Sequence, residues 1–303
     1  MFTNLIVGID GRDGGNDAVA LARTLANPES DITLINVYSG ESVPSCGSLG
    51  GYARLLRDES DELLARAASA SLDAPDPHTH LRHVADASPS RAIQHTAARE
   101  EADLIVVGSC HHGAVGRVVL GDVSRGVMHG AHCPVAVAPD GYRHDPRTTR
   151  TIGVGFNNTP ESRAALEFAV SLARETGAAL KLMTAVMIPS SLGAPYAFAY
   201  NVEGLLEDLR TSAGDALAQI ASELDVSATT AVADGPAGQA LEQLSREVDL
   251  LIAGSRGWGT ARRVILGSAT SHLTHHAACP VVVVPTPIGQ IDEKPFIEAS
   301  ATS

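Results

Sequence analysis

The chain is an internal duplication whose two copies follow one another along the sequence. Three segments of the first copy recur in the second copy in the same order. The pairs are Leu5–Gly11 with Thr151–Asn158, Ala102–His112 with Val248–Trp258, and Arg117–Pro139 with Arg263–Pro285. The spacing agrees between the second and third pairs, because Gly108 and Gly254 lie 146 residues apart and so do Gly121 and Gly267. A repeat of this length is typical of a duplicated domain and is too long for a solenoid unit.

Within each copy, short runs of β-branched residues alternate with amphipathic helical stretches. This alternation predicts an α/β fold of two tandem open parallel sheets with helices on both faces. Strands are predicted near Leu5–Ile9, Asp31–Tyr38, Thr79–Ala85, Leu104–Val107, Val135–Ala138, Thr151–Phe156, Leu180–Val186, Thr229–Ala233, Leu250–Ala253 and Val281–Val284. Glu161–Glu175 has apolar residues at helical spacing, and Thr159-Pro160 before it supplies a cap and a first-turn proline.

The 303 residues are enough for two domains that each bury a core. We assign residues 1–139 to a first α/β domain and residues 151–287 to a second. Residues 140–150 (DGYRHDPRTTR) are polar and contain glycine and proline, as is typical of a linker. Residues 288–303 form a polar tail without clear periodicity.

Charge and hydropathy exclude two classes of partner. Lys and Arg number 22 against 35 for Asp and Glu, a formal net charge of −13, which opposes attraction to nucleic acid or an anionic membrane. The N-terminus has no basic stretch, Asp10 interrupts its apolar run, and no apolar run reaches the length of a membrane span. We therefore expect a cytoplasmic protein that holds any anionic ligand with local groups.

Two of the four cysteines, Cys133 and Cys279, each precede a proline and a valine-rich strand. No two cysteines have CxxC spacing, and a chain of this size needs no disulfide framework. We interpret Cys133 and Cys279 as small buried apolar residues.

The segment after the fourth strand of copy two has the features of a phosphate-binding loop. It contains Gly254, Gly257 and, nine residues later, Gly267-Ser268 at the start of a helix. A strand-end glycine lets backbone approach a phosphate and permits a positive φ. At the helix start, free N–H groups and the positive dipole end attract an anion, and Ser268 can cap the helix and donate its hydroxyl. A local basic patch would neutralise phosphate charge, and it consists of Arg256, Arg262 and Arg263.

This spacing resembles that of the ATP-binding members of the universal stress protein family, which carry Gly-x2-Gly-x9-Gly-Ser/Thr in each domain. Copy two matches each specified position, namely Gly254, Gly257, Gly267 and Ser268, with Ala269 following in the helix. The resemblance extends through both copies, outside the linker and the tail. It implies five-stranded parallel sheets in the order 3-2-1-4-5, ATP binding without a strong hydrolase centre, and pairing of the domains through their last strands.

Copy one departs from the pattern in its phosphate loop. His111 replaces the second glycine, and Asp122 puts a carboxylate at the helix N-terminus, where an anion would bind. At a separation of about 4 Å and an effective dielectric near 20, that repulsion is on the order of 4 kcal/mol. We therefore predict a weaker or degenerate first site. Its residues are Asp10, Val37, Gly108, Gly121 and Asp122.

The resemblance also places residues near the adenine. Family members carry an aspartate just after the first strand, which copy one keeps as Asp10 and copy two replaces with Asn157. An amide still offers a donor and an acceptor to the base. The end of the second strand, at Val37-Tyr38 in copy one and Ala185-Val186 in copy two, is expected to flank adenine on the same grounds.

Metal-dependent and nucleophilic catalysis find little support in the sequence. His272 and His276 are spaced i, i+4 on the last helix, as metal ligands can be, but no third ligand lies near them in the chain. We interpret them as a solvated or interface helix face and predict no metal site. The serines and histidines form no recognisable nucleophile elbow, and we predict no catalytic residue.

The leading hypothesis is an ATP-binding tandem protein in which the second domain holds the nucleotide, with Mg²⁺, as a structural or signalling ligand. Its expected partners are the adenine nucleotide and, between chains, a homodimer mate or an unidentified protein. One alternative is a nucleotide-independent interaction module of two paired domains. A slow ATPase is a further alternative, weakened because no positioned general base can be named.

Overall fold

The computed structural model describes residues 2–39, 49–71, 76–110, 116–187, 202–258, 263–265 and 267–285. The first repeat alternates strands and helices. Its elements are β1 (Phe2–Gly8), α1 (Asp13–Leu25), β2 (Ala26–Tyr38), α2 (Leu49–Ser71), β3 (Thr79–Ala85), α3 (Pro89–Arg99), β4 (Leu104–Gly108), α4 (Asp122–Met128) and β5 (Val135–Ala138). A short 3₁₀ turn follows at Tyr142–His144. The tail predicted at 288–303 lies outside the described residues.

The second repeat follows the same plan, with one added hairpin. Its elements are β6 (Thr151–Gly155), α5 (Pro160–Thr176), β7 (Ala179–Val186), α6 (Val202–Glu223), β8 (Ala228–Asp234), α7 (Ala237–Leu244), β9 (Leu250–Gly254), β10 (Arg256–Trp258), β11 (Arg263–Ile265), α8 (Ser268–His276) and β12 (Val281–Val284). Strands β10 and β11 pair antiparallel in the segment that the sequence predicted to be a loop. The β-branched Val264 and Ile265 favour extended backbone there.

The ten long strands form one continuous sheet in the order β3-β2-β1-β4-β5-β12-β9-β6-β7-β8. Each half is parallel and has the predicted order 3-2-1-4-5, so the predicted fold class is confirmed. The halves meet where β5 pairs antiparallel with β12, with Ala136 opposite Val282. Pairing of the two domains through their last strands is therefore also confirmed. This contact removes two exposed sheet edges, whose unpaired N–H and C=O groups would otherwise invite association.

Helices cover both faces of this sheet, and the apolar core on each face runs through both repeats. Helices α1, α2, α5 and α6 pack on one face, around residues such as Leu64, Leu166 and Leu217. Helices α3, α4, α7 and α8 pack on the other, around Met128 and Leu273. The central strands are buried on both sides, which explains why they are continuous apolar runs without alternation. Among the helices that the structure describes, none combines the length and the apolar character needed to cross a membrane.

Helix α5 shows how local sequence sets an element. The Thr159 hydroxyl accepts a hydrogen bond from the N–H of Ser162, and Pro160 takes the first helical position, as predicted. Gly177 ends the helix with a φ of 72°, a left-handed conformation that glycine adopts at little cost. This helix delivers its N-terminal turn to the carboxyl end of the sheet, where the candidate site lies.

Candidate functional site

A cavity of about 260 Å³ lies in the second domain, at the carboxyl ends of β6, β7 and β9 and the N-terminal turns of α5, α7 and α8. This is the edge of a doubly wound sheet at which ligands bind. The described lining residues are Gly155, Phe156, Asn157, Thr159, Glu161, Ser162, Met183, Thr184, Ala185, Ala237, Ala240, Leu241, Ala253, Gly254, Gly267, Ser268, Ala269 and Thr270. Six of the predicted nucleotide-binding residues converge on it from four separate segments, namely Asn157, Ala185, Gly254, Gly267, Ser268 and Ala269.

The N-terminus of α8 lines this cavity without a capping side chain. The cap position is occupied by Gly267, with φ −66° and ψ 165°, so no side chain caps the helix. Ser268 is the first helical residue, so the prediction that its hydroxyl caps α8 is wrong. The first intrahelical bond runs from the N–H of Ser271 to the carbonyl of Gly267 at 2.8 Å. The preceding N–H groups, at Ser268, Ala269 and Thr270, have no partner within the helix and form an anion-binding end.

Gly254 is needed for packing between elements. A Cβ on Gly254 would overlap the carbonyl oxygen of Glu161, in the first turn of α5. The φ of Gly254 is not positive, so that predicted reason for the glycine is wrong, whereas the predicted approach of its backbone to a phosphate stays a prediction. The Thr270 hydroxyl donates to the Gly254 carbonyl at 3.0 Å and ties α8 to the same strand end.

The opposite wall comes from the ends of β6 and β7. Asn157 is exposed, and its Oδ1 accepts a hydrogen bond from the Thr159 hydroxyl at 2.9 Å. Ala185 lines the cavity, but Val186 does not appear among the lining residues. Met183, Thr184 and Ala185 all contribute to the lining, which stops one residue short of Val186. The apolar part of the lining comes from Phe156, Met183 and Leu241, together with small alanines.

The remaining predicted residues lie just beyond the strand end. Arg256 and Gly257 are in β10, where Gly257 pairs with Val264. The side chains of the predicted basic patch, including Arg256, lie outside the described part of the chain. Their contribution to phosphate binding stays a prediction.

The first domain has a corresponding cavity of about 210 Å³. The predicted residues Asp10, Val37 and Gly108 line it, while Gly121 and Asp122 begin α4 beside it. Gly121 occupies the cap position, so no side chain caps α4. Asp122 is the first residue of α4 and is exposed, so its carboxylate lies at the positive end of that helix.

Both domains use the same frame around their cavities. Gly108 packs against the carbonyl of Gly14, as Gly254 packs against that of Glu161. The Ser124 hydroxyl donates to the Gly108 carbonyl at 3.1 Å, matching Thr270 and Gly254. The first cavity is therefore retained, and it differs from the second mainly in side chains.

Asn36, a buried amide near the end of β2, lines the first cavity and was not indicated by any sequence motif. Its Nδ2 donates to the carbonyl of Ile9 at 2.7 Å, and its Oδ1 accepts from the Ser60 hydroxyl at 2.7 Å. These bonds position the strand end that carries Asp10. The available signal was an amide within the otherwise apolar run Leu34–Val37.

The paired histidines of α8 have a third polar neighbour. Glu242 of α7 lies beside His272 and His276, and the ligand atoms of the three side chains are all within 4.8 Å of one another. A hydrogen bond from His272 lowers the pKa of the Glu242 carboxyl. Spacing along the chain could not show this third group, because it comes from a different helix, and the interpretation of the histidines as a solvated or interface helix face stays a prediction.

The fold and its two cavities define a class of protein, namely two doubly wound α/β domains joined edge to edge with a cavity at the carboxyl ends of each parallel half. Within this class the chain belongs to the universal stress protein family, since the sequence model of that family matches residues 1–139 and again residues 148–285. It is a tandem member, with two such domains in contact.

Related proteins agree with this assignment. The chain is similar to the universal stress protein Rv2005c of Mycobacterium tuberculosis, at 30% identity over 188 residues, covering 60% of this chain and 62% of that protein. This chain therefore spans less than two thirds of the length of Rv2005c. The universal stress protein MT2698 of Mycobacterium tuberculosis is 28% identical over 294 residues, and the match covers 92% of this chain and 95% of MT2698.

Solved structures show the same fold. A universal stress protein from Archaeoglobus fulgidus has a TM-score of 0.65 at 16% identity, covering 94% of this chain and 98% of that one. A second similar structure is that of a universal stress protein in complex with cAMP. That structure matches 46% of this chain and 98% of its own, at 23% identity and a TM-score of 0.35.

Proposed function

We propose that the cavity of the second domain binds ATP, with Mg²⁺ entering alongside the triphosphate, and that the nucleotide serves as a structural or signalling ligand in a cytoplasmic protein. The observation that carries this proposal is the uncapped N-terminus of α8 at the cavity wall. In a chain of net charge −13, backbone N–H groups and a helix dipole are suitable means of holding an anion.

The rest of the lining supports an adenosine moiety. Phe156, Met183 and Leu241 offer apolar surface to a planar base, and Asn157 and Thr159 offer polar groups beside it. The cavity, at about 260 Å³, is slightly smaller than the roughly 300 Å³ lower bound typical of ligand pockets. A ligand of the size of ATP would therefore extend past α8 towards Gly257 and β10.

The first domain is proposed to bind the same ligand more weakly. Its α4 carries Asp122 where α8 carries Ser268. A carboxylate about 4 Å from a phosphate costs on the order of 4 kcal/mol before screening. The two cavities then differ in affinity, although their frames are alike.

The proposed role is binding without rapid turnover. Glu161 is the one carboxylate among the described residues that line the second cavity, and that described lining includes neither histidine nor cysteine. Rapid hydrolysis requires a positioned base and charge-stabilising groups around the reacting phosphate. We therefore propose that ATP acts on the domain pair and its partners, whether a second copy or another protein, through occupancy.

Titration calorimetry and thermal unfolding of the nucleotide-free chain with Mg·ATP test the proposal. At about a hundred times Kd, ATP should stabilise the native chain by roughly 2.7 kcal/mol. Ser268→Asp should weaken binding about tenfold or more, whereas Ser271→Asp, which adds the same charge one turn further along α8, should retain it. Asp122→Ser should strengthen the first site.

The outcomes separate the hypotheses. A wild-type chain with neither binding heat nor thermal stabilisation contradicts the proposal and favours the nucleotide-independent interaction module. Val123 lines the first cavity. If Ser268→Asp retains full ATP affinity and Val123→Asp loses ATP affinity, the nucleotide is assigned to the first domain instead.

A further inference from the structure

Three side chains form a compact cluster on the surface between α7 and α8, separate from the described cavity lining. The Nε2 of His272 donates to the Oε2 of Glu242 at 2.8 Å. The rings of His272 and His276 are stacked, with centroids 4.2 Å apart and an interplanar angle of 10°. One potential ligand atom from each of the three residues lies within 4.8 Å of the other two.

We propose that Glu242, His272 and His276 bind a divalent transition-metal cation, with Zn²⁺ as the preferred ion. Two imidazoles and one carboxylate are a donor set that suits zinc and leaves a coordination position for water or another ligand. Zinc lies about 2.0–2.2 Å from such nitrogen and oxygen ligands. Small rotations of these side chains bring ligand atoms that now lie within 4.8 Å onto one ion.

The surrounding hydrogen bonds orient the ligand atoms. The Nδ1 of His276 donates to the backbone carbonyl of His272 at 3.0 Å, which leaves the Nε2 of neutral His276 with a free lone pair. The guanidinium of Arg246 donates to the Oε1 of Glu242 at 2.7 Å, so Oε2 remains for the cation. The cation takes the place of the proton that His272 shares with Glu242. Such outer hydrogen bonds are a regular feature of protein metal sites.

The first domain shows that this helix pair packs without the three side chains. Ile93 faces Gly8 as Leu241 faces Gly155, so the position of Glu242 corresponds to Gln94 on α3, and those of His272 and His276 correspond to Gly126 and Gly130 on α4. There the Nε2 of Gln94 donates to the backbone carbonyls of Gly126 and Val127, at 2.8 and 3.0 Å. A direct link between the helices is thus made with one neutral amide. The duplicated fold does not require the histidines and the carboxylate of the second domain.

The second domain also makes room for His272. A Cβ at Gly238 of α7 would lie 2.7 Å from the Cβ of His272, too close for any other residue without a shift of α8. In the first domain the arrangement is reversed, with Gly126 of α4 facing Ser90 of α3. The side chains of His272 and Glu242 are 28% and 17% exposed, so a cation can reach them from solvent.

The inference is independent of nucleotide binding and is tested with ZnCl₂ alone on the full, untagged chain. Titration calorimetry should give one high-affinity zinc site per chain. Glu242→Gln and His276→Gln should each weaken binding roughly tenfold or more. The matched control is His275→Gln on the same helix, which should bind zinc as the wild type does, because His275 contacts Ser271 and Arg125 instead.

A second measurement uses only the wild-type chain and therefore does not depend on the variants folding. Zinc should protect His272 and His276, but not His275, from modification by diethyl pyrocarbonate, as mapped by mass spectrometry. The proposal is overturned if the wild type binds no stoichiometric zinc, if folded Glu242→Gln and His276→Gln bind it undiminished, or if the protection falls on other histidines.

Discussion

The carboxylate of Asp17 on α1 and the guanidinium of Arg143 in the linker form an ion pair with an Nη1–Oδ1 distance of 3.1 Å. The Asp17 side chain is fully buried, and its two oxygens also accept hydrogen bonds from the N–H groups of Gly141 and Arg143, at 2.8 and 2.9 Å. The segment predicted as a polar linker is thus fastened to the first domain where it leaves β5. This contact helps to set the path of the chain from one half of the sheet to the other.

Removal of this buried carboxylate should destabilise the first domain. Asp17→Ala leaves two linker N–H groups without their partner and the guanidinium without its buried partner, and we expect a loss of about 3 kcal/mol in the free energy of unfolding. Asp13→Ala is the matched control, since Asp13 pairs with the same Arg143 but is 60% exposed. The free energy of unfolding should fall by less than about 1 kcal/mol in Asp13→Ala. Urea unfolding followed by circular dichroism measures both, and equal losses would show that burial of Asp17 is unimportant.

Alanine at the strand-end glycines should be poorly tolerated. In Gly254→Ala and Gly108→Ala the new methyl group meets a backbone carbonyl, of Glu161 and Gly14 respectively, which cannot rotate away. We expect each to cost about 1–3 kcal/mol or more of stability. Gly214→Ala in α6 is the control, because its nearest neighbour is Val232 at 3.7 Å. Gly214→Ala should stabilise the chain by up to about 1 kcal/mol. Thermal melts in which Gly254→Ala or Gly108→Ala is as stable as Gly214→Ala would refute the packing role of the strand-end glycines.

The buried thiols should make stability fall at alkaline pH. Burial raises the pKa of Cys133 from 9.0 to about 12, and burial likewise raises the pKa of Cys279. Above pH 9 the thiols of the unfolded chain ionise while those of the native chain stay protonated. The free energy of unfolding should therefore decrease with pH in this window, by at most about 1.4 kcal/mol per pH unit for each thiol.

Cys133→Ala should flatten this pH dependence, as measured by urea unfolding between pH 8 and 11. Iodoacetamide at pH 8 provides a second check, since it should label partly exposed Cys110 in the native chain but reach Cys133 and Cys279 only after unfolding. An unchanged slope in Cys133→Ala, or rapid native labelling of Cys133, would contradict the interpretation of this thiol as a buried apolar group.

ATP should be bound without rapid hydrolysis. We expect phosphate release well below about 1 s⁻¹, and Glu161→Gln should leave the residual rate unchanged because Glu161 is expected to have no catalytic role. A coupled phosphate assay beside calorimetry makes the comparison. Steady release that Glu161→Gln abolishes, with ATP affinity retained, would instead identify a slow ATPase.

Much of the fold was accessible from sequence. The capped start of α5 at Thr159-Pro160 was predicted from neighbouring residues alone and is confirmed. The strand order was implied only by the family resemblance, whereas the duplicated alternation of strands and helices was predicted from periodicity. Such features depend on contacts within one turn or one strand, and these recur with regular spacing along the chain. The same regularity predicted the burial of Cys133 and Cys279 beside their valine-rich strands.

Other features depended on how separate elements pack. The sequence alone places a glycine at position 254, but the contact that requires it, with the carbonyl of Glu161, exists only once α5 lies across the end of β9. Glu242 likewise lies 30 residues from His272 along the chain and reaches it only because α7 and α8 are neighbours. Spacing along a sequence reports partners within one element, whereas partners on different elements depend on the angle and separation at which those elements meet.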